Sequence, residues 1–174
     1  METPSFLKVL IERDQAASRR LTLPRERVWL RRLAAIGAHL GDGWLWLAGS
    51  LAALALGSPA TRQLVIWLAV AVLCTVNVGS VIKYLSRRPR PVDVGGFYSR
   101  RLDSYSFPSG HAIRVACIAT ALSITYPAWS PLFILYAGLV ALCRVVLGIH
   151  YPGDVLVGLL LGTLGSALLF GLIL

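Results

Sequence analysis

The chain has 174 residues, of which 56% are hydrophobic, and it carries a formal net charge of +9 at pH 7. Its mean hydropathy of +0.70 excludes an ordinary soluble protein, in which about half of the residues are apolar. Its length fits a single domain. The positive charge is concentrated in residues 1–32 and 83–101, without the aromatic interleaving of a nucleic-acid module. The positive charge therefore indicates that the binding partners are anionic lipid headgroups or phosphorylated substrates rather than nucleic acid.

Residues 1–32 form a basic N-terminal segment, which we separate from a transmembrane domain at residues 33–174. Apolar side chains at helical spacing occur at Phe6, Leu7, Leu10 and Ile11. This pattern predicts an amphipathic helix that lies on the membrane headgroups, and a partly disordered basic tail is the alternative. Pro24 ends the segment.

Five apolar stretches follow, and each predicts one membrane-spanning helix. They cover residues 33–56, 64–85, 111–126, 131–147 and 152–174. The first stretch is interrupted near its start by polar residues, among which Asp42 is expected to cap the spanning helix. Gly158, Gly162 and Gly165 lie near one face of the last span and predict close helix contact. The sequence thus predicts an all-α membrane protein, a bundle of about five transmembrane helices preceded by an interfacial helix.

Three short polar segments, residues 83–91, 106–111 and 144–154, lie at the ends of these spans. Because consecutive spans alternate in direction, all three segments are expected on the same side of the membrane. Ionisable groups at such positions are functional candidates by default. Together the segments supply cations, two histidines, a serine hydroxyl and a carboxylate, which suit a phosphate group.

The start of the third span contains Ser109, Gly110 and His111. The N–H groups at a helix N-terminus bind anions, and a glycine lets a phosphate approach the backbone. Ser109 is expected to cap the helix or to donate to the same phosphate; an ordinary serine cap is the structural alternative.

His150 and Asp154 are four residues apart, and Pro152 between them suits the first turn of a helix. Asp154 can then reach one imidazole nitrogen and leave the other nitrogen nucleophilic, as in a catalytic triad. A purely structural histidine–aspartate pair is the alternative.

Lys83, Arg90 and Arg144 are expected to clamp the phosphate. Phosphoryl transfer depends mainly on charge stabilisation at the phosphate oxygens, and arginine makes bidentate contacts to them. An arginine as far inside a span as Arg144 is costly unless it is paired.

Arg114, one turn beyond His111, is a secondary candidate for binding a second phosphate or pairing with a carboxylate. We assign Arg87 and Arg88 to solvent or lipid. No acidic cluster typical of a metal site is visible, so we expect neither a metal nor a cofactor, with the cations taking the role of Mg²⁺.

Three motifs in this order resemble the signature of the type-2 phosphatidic acid phosphatase family. They are Lys83-x6-Arg90-Pro91, Pro108-Ser109-Gly110-His111 and Cys143-Arg144-x5-His150-x3-Asp154. The resemblance extends from about residue 41 to the C-terminus and implies a metal-independent phosphatase with a helical core. Two features depart from the family pattern: Cys143 replaces a serine, and the first of six usual spans is missing.

The resemblance also implies roles for the site residues. It makes His150 the nucleophile that forms a phosphohistidine, Asp154 the group that orients it, and His111 the group that protonates the leaving group and then activates water. It assigns phosphate binding to Lys83, Arg90, Ser109, Gly110 and Arg144.

We therefore interpret the chain as an integral membrane lipid phosphatase acting on a phosphomonoester or diphosphate. A polyprenyl phosphate or diphosphate is the first choice, because residues 110–114 and the short length resemble that branch of the family. Phosphatidic acid or phosphatidylglycerol phosphate is the alternative substrate. A vanadate-dependent haloperoxidase and a non-enzymatic relict are remoter alternatives. Membrane lipids are the expected surroundings, with no nucleic-acid partner and no obligate protein partner.

The membrane is expected to be a bacterial or archaeal plasma membrane. With five spans, the basic N-terminal segment and the polar segments lie on one side, and the opposite loops offer only Arg62. Because basic segments near the first span normally stay in the cytoplasm, we favour a cytoplasmic site. The family resemblance implies the outer face instead.

Overall fold

The computed structural model describes residues 5–91 and 105–172, and within these residues it contains seven α-helices and no β-strand. The helices are α1 (Ser5–Leu21), α2 (Val28–His39), α3 (Gly43–Leu56), α4 (Pro59–Ser86), α5 (Gly110–Thr125), α6 (Ser130–Val146) and α7 (Pro152–Gly171), with a 3-10 helix at Pro127–Trp129. The predicted all-helical architecture and the predicted N-terminal helix are confirmed. Part of the long polar loop, residues 92–104, lies outside the described residues.

Three of the described helical segments are long and apolar enough to cross a membrane: α4, α7 and Pro127–Val146, which joins the 3-10 helix to α6. The apolar helices α3 and α5 have 14 and 16 residues, which corresponds to lengths of about 21 and 24 Å. Large apolar side chains such as Leu73, Leu139 and Leu160 are exposed along the outer faces of the bundle. A lipid environment covers such surfaces, and the chain is an integral membrane protein.

The first predicted span is two helices rather than one. Helix α2 ends at His39 and α3 begins at Gly43. The turn passes so close to α6 that a Cβ atom on Gly41 would lie 2.7 Å from Val140 Cγ1. Asp42 occupies the N-cap position of α3, as predicted, but its side chain makes no cap hydrogen bond to that helix. Helix α3 packs against α4, while α2 packs against the end of α6 through Ala34 and Ala38.

Helix α5 is the centre of the bundle. Half of its residues are buried, and they lie on all sides of the helix: Ala112, Ile113, Val115, Ala116, Cys117, Ile118, Ala119 and Ala121. A helix that is apolar on every side belongs in a core. Helices α4, α6 and α7 surround it, so its N-terminus is enclosed by the ends of its neighbours.

Helix α7 approaches α5 closely through two of the glycines that the sequence singled out. A Cβ atom on Gly158 would lie 2.7 Å from the Ser109 carbonyl oxygen, and one on Gly162 would lie 2.8 Å from Ala116 Cβ. Gly165 faces Thr75 of α4 instead. The predicted close contact is therefore confirmed, and it brings the first turn of α7 beside the first turn of α5.

Gly162→Ala is expected to lower the free energy of unfolding by about 1–3 kcal/mol, because the added methyl group has no room between α7 and α5. Thermal unfolding in detergent measures the effect. Gly138→Ala is the matched control: Gly138 lies in α6, and a Cβ atom added there would have no neighbouring atom within 4 Å, while alanine favours the helix. Equal losses in the two variants would contradict the close α5–α7 contact.

Candidate active site

The ends of α4, α5, α6 and α7 meet at one end of the bundle, as the alternation of the spans predicts. The backbone N–H of Ser109 donates to the Asp154 carbonyl oxygen at 3.0 Å, which joins the starts of α5 and α7. The N–H of Ser106 donates to the Arg88 carbonyl oxygen at 2.8 Å, which joins the segment after α4 to the segment before α5. These backbone contacts bring the three polar segments into one site.

His150 lies at the centre of this site and is fully buried. Its Nδ1 donates to the carbonyl oxygen of Ser106 at 2.8 Å. Because a carbonyl oxygen only accepts, Nδ1 carries the proton and Nε2 of the neutral ring keeps its lone pair. Nε2 lies 3.4 Å from Arg90 Nη1 and 3.5 Å from Arg144 Nη2. The nitrogen that keeps its lone pair thus faces two guanidinium groups.

Asp154 does not form the predicted hydrogen bond to His150. The distance from Asp154 Oδ2 to His150 Nδ1 is 3.6 Å, which is longer than a hydrogen bond. The same oxygen accepts from the Tyr151 N–H at 2.9 Å, and Oδ1 accepts from Arg88 Nη1 at 2.8 Å. Asp154 therefore acts on His150 through its charge and by fixing the turn that carries it, while the Ser106 carbonyl fixes the tautomer.

Arg88 belongs to the site, and its assignment to solvent or lipid is wrong. Besides Asp154, it binds Asp14 of α1 through Nη2 at 2.8 Å, and its guanidinium lies 3.9 Å from the centre of the Tyr151 ring. Asp14 also accepts from the Gly153 N–H at 2.8 Å. The contact with Asp14 spans 74 positions of the chain, so no local sequence pattern marks it. This network attaches α1 to the turn that carries His150.

His111 is held by Asp42, which sequence reasoning treated only as a cap. Nε2 of His111 lies 2.8 Å from Asp42 Oδ1, and Nδ1 of His39 lies 2.7 Å from Asp42 Oδ2. Burial alone would raise the pKa of Asp42, but the hydrogen bonds to His39 and His111 outweigh it and lower the pKa to about 2. Asp42 is therefore ionised at neutral pH and accepts from both imidazoles.

A small cavity of about 190 Å³ lies between α4 and α5, and its walls include Lys83, Gly110, His111 and Arg114. The predicted acid–base residue His111 thus lies beside two predicted phosphate-binding residues, Lys83 and Gly110, and beside the secondary candidate Arg114. Arg114 also donates from Nη1 to the Gly41 carbonyl oxygen at 2.8 Å. This described contact joins α5 to the turn before α3.

Ser109 is buried and occupies the N-cap of α5, where its hydroxyl oxygen accepts from the Ala112 N–H at 3.5 Å. The first-turn amides of α5, including those of Gly110 and His111, have no acceptor within their own helix and suit an anion. Cys143 faces the other way: a Cβ atom on Gly37 of α2 would lie 2.6 Å from its sulfur. The serine-to-cysteine departure thus lies at the contact between α6 and α2.

Known proteins resemble this chain in sequence and in fold. The model of the PAP2 superfamily matches residues 64–173. An undecaprenyl-diphosphatase from Sulfolobus acidocaldarius is 35% identical over 127 residues, which cover 71% of this chain and 61% of that protein. A decaprenylphosphoryl-5-phosphoribose phosphatase from Mycolicibacterium smegmatis is 39% identical over 136 residues, covering 74% of this chain and 68% of that protein. This chain therefore spans less than two thirds of the Sulfolobus protein.

A solved structure shows the same fold. The PAP2-type phosphatidylglycerolphosphate phosphatase from Bacillus subtilis has a TM-score of 0.73 and 28% sequence identity, and the match covers 95% of this chain and 86% of that one. The family match includes more than half of the chain and all three polar segments. The chain belongs to the PAP2 superfamily.

Proposed function

We propose that this chain is a membrane lipid phosphatase that hydrolyses a phosphomonoester or diphosphate, with a polyprenyl phosphate or diphosphate as its first substrate. The observation that carries the proposal is the position of His150 Nε2, 3.4 Å from Arg90 and 3.5 Å from Arg144. A lone pair and two cations converge on the place where a phosphorus atom and its oxygens would lie. The names of the two curated relatives, which both concern polyprenyl carriers, favour the substrate class.

The first chemical step forms a phosphohistidine. The Nε2 lone pair of His150 attacks phosphorus, the bond from phosphorus to the leaving oxygen breaks, and its electron pair stays on that oxygen. His111 supplies the proton that the leaving oxygen takes up. Arg90 and Arg144 stabilise the charge on the equatorial oxygens together with the first amides of α5.

The second step returns the enzyme to its starting state. A water molecule loses a proton to His111 and attacks the phosphorus of the phosphohistidine. The phosphorus–nitrogen bond breaks, its electron pair returns to Nε2 of His150, and orthophosphate leaves. The Ser106 carbonyl keeps the Nδ1 proton in place through both steps, so the same nitrogen reacts each time.

An apolar groove supports a lipid rather than a soluble substrate. It has a volume of about 870 Å³ and lies between α1, the end of α4 and the start of α7. Its apolar walls include Leu10, Ile11 and Leu156, and basic side chains at Arg13 and Arg88 line it as well. Apolar walls suit a hydrocarbon chain, and Arg13 suits an anionic headgroup, whereas Arg88 is held by Asp14 and Asp154.

Phosphatidylglycerol phosphate or phosphatidic acid is the second candidate substrate, favoured by the likeness to the Bacillus subtilis phosphatase. A haloperoxidase would also bind an oxyanion here, but the membrane location and the apolar groove favour a lipid ester. A relict protein would have lost at least one motif residue, and all of those that the family resemblance assigns to catalysis or phosphate binding are present.

Orthophosphate release from a lipid panel tests the proposal, with the purified protein in detergent and with or without EDTA. We expect the highest kcat/KM for a polyprenyl phosphate or diphosphate, unchanged turnover in EDTA, and competitive inhibition by vanadate. Phosphatidylglycerol phosphate as the best substrate would favour the second candidate. Strict dependence on added Mg²⁺, or no release from any lipid, would contradict the proposal.

We also propose that the site faces the cytoplasm of a prokaryotic cell, on the basis of the basic N-terminal segment. Two exposed cations mark the opposite ends of the bundle: Lys8 on α1 and Arg62 at the start of α4. In a variant without native cysteines, an impermeant thiol reagent applied to intact cells is expected to label Arg62→Cys and not Lys8→Cys. The reverse result would place the site on the outer face. Labelling of both positions would contradict the five-crossing topology.

A further inference from the structure

Asp42 joins two histidines at the turn between α2 and α3. Its Oδ1 lies 2.8 Å from His111 Nε2, and its Oδ2 lies 2.7 Å from His39 Nδ1. Trp44 Nε1 donates to Oδ2 at 3.3 Å. Because an ionised carboxylate only accepts, the facing nitrogen of each histidine carries a proton. The carboxylate thereby fixes which nitrogen of His111 is protonated.

The turn that carries Asp42 is held in place by contacts that do not involve the carboxylate. Arg114 of α5 donates to the Gly41 carbonyl oxygen at 2.8 Å, and the Tyr136 hydroxyl of α6 donates to the Leu40 carbonyl oxygen at 2.6 Å. Gly41 itself packs against Val140 with no room for a side chain. The position of Asp42 is thus fixed by two core helices, which is what a rigid support for His111 requires.

We propose that Asp42 is a positioning residue for the acid–base step: it holds Nε2–H of His111 and stabilises the protonated ring, which exchanges its Nδ1 proton with the substrate. This inference rests on the proposed function. In the first step the Nδ1 proton of the imidazolium moves to the leaving oxygen as the phosphorus–oxygen bond breaks. In the second step Nδ1 takes a proton from the attacking water. The Nε2 proton remains on the Asp42 hydrogen bond throughout.

Nearby cations make the negative charge of Asp42 necessary for a protonated His111. Burial of the ring is the largest effect that opposes a positive charge on His111, and the guanidinium groups of Arg144 from α6 and Arg114 from α5 oppose it as well. Lys83 of α4 lines the same cavity. These cations bind phosphate but repel an imidazolium. Asp42 is the acidic side chain that the described contacts place on this ring, and it compensates for that repulsion.

The test compares Asp42→Asn with the wild type on two substrates of different leaving group. A long-chain alkyl phosphate needs a proton on its leaving oxygen, whereas a 4-nitrophenyl phosphate does not. Rapid-quench experiments measure the rate of the first turnover, in which His150 is phosphorylated. For Asp42→Asn we expect this rate to fall by about 10–100-fold with the alkyl substrate, and by less than about 3-fold with the nitrophenyl substrate.

The ratio of the two rates is taken within one preparation, so it does not depend on the fraction of folded protein. Asp42→Glu keeps a carboxylate and is expected to recover most of the wild-type ratio, which provides a second measurement. Trp44→Phe removes a neighbouring hydrogen bond to Oδ2 and is expected to leave the ratio unchanged.

A purely structural role for Asp42 would give an equal loss of rate on both substrates in Asp42→Asn. That result would overturn the inference. Absence of wild-type turnover on both would instead overturn the proposed function, and this inference with it.

Discussion

Replacement of His150 by alanine is expected to lower kcat for lipid phosphate hydrolysis by at least about 10³-fold, because the nucleophile is removed. Its Nε2 faces Arg90 and Arg144, and an alanine leaves these cations without a group that can attack phosphorus. Orthophosphate release from a polyprenyl phosphate measures the loss. Retention of more than about 1% of wild-type activity would contradict a nucleophilic role.

His150→Asn separates loss of chemistry from loss of structure. The asparagine amide can still donate to the Ser106 carbonyl oxygen, which accepts from His150 Nδ1 at 2.8 Å in the wild type, but it offers no nucleophilic nitrogen. We expect this variant to unfold near the wild-type temperature and to be as inactive as His150→Ala. An active asparagine variant would mean that the hydrogen bond to Ser106, rather than the imidazole, is what the reaction needs.

Replacement of His111 by alanine is expected to slow turnover on an alkyl phosphate by about 10²–10⁴-fold, the contribution of general acid–base catalysis. The loss differs in kind from that of His150→Ala. A 4-nitrophenolate leaves without a proton, so His150 is still phosphorylated, and the slow step becomes hydrolysis of the phosphohistidine. Stopped-flow absorbance is therefore expected to show a burst of about one nitrophenolate per active site, followed by slow turnover.

Two outcomes would contradict this role for His111. If no burst appeared and turnover fell on both substrates, the role of His111 would be substrate binding or structural support rather than acid–base catalysis. A burst followed by turnover at the wild-type rate would show that another group activates the water. His150→Ala serves as the control, because it is expected to give neither burst nor turnover.

Much of the site could be predicted from the sequence because membrane helices have a restricted geometry. Alternating spans place the end of α4, the start of α5, the end of α6 and the start of α7 on one side. That rule alone places Lys83, His111, Arg144 and His150 on the same side of the membrane. The serine before Gly110 also predicts the N-cap of α5 at Ser109.

Contacts between distant parts of the chain could not be predicted in this way. Arg88 lies in a basic run that resembles a headgroup anchor, and only the folded chain shows that Asp14 and Asp154 accept its hydrogen bonds. The Asp154 side chain was expected to bond to His150. Its oxygens are instead occupied by Arg88 and by the Tyr151 amide, and Ser106 takes its place at Nδ1.

The break between α2 and α3 is a second example. The hydropathy of residues 33–56 predicts one span. A hydropathy profile contains no tertiary contacts, and here side chains of α5 and α6 bind the carbonyl groups of Gly41 and Leu40. Those contacts fix a turn in which Asp42 faces His111, 69 positions away along the chain. Tertiary hydrogen bonds therefore hold the turn in place and give His111 its acidic partner.

Site mapping of the phosphoenzyme tests the central claim most directly. His111→Ala is mixed with 4-nitrophenyl phosphate, quenched at alkaline pH, digested, and analysed by mass spectrometry for phosphorylated peptides. The proposed mechanism predicts one acid-labile phosphate, located on His150, and no phosphorylated peptide when His150→Ala is added to the same variant. Phosphate on any other residue, or product formation without a phosphorylated peptide, would contradict a phosphohistidine mechanism at His150.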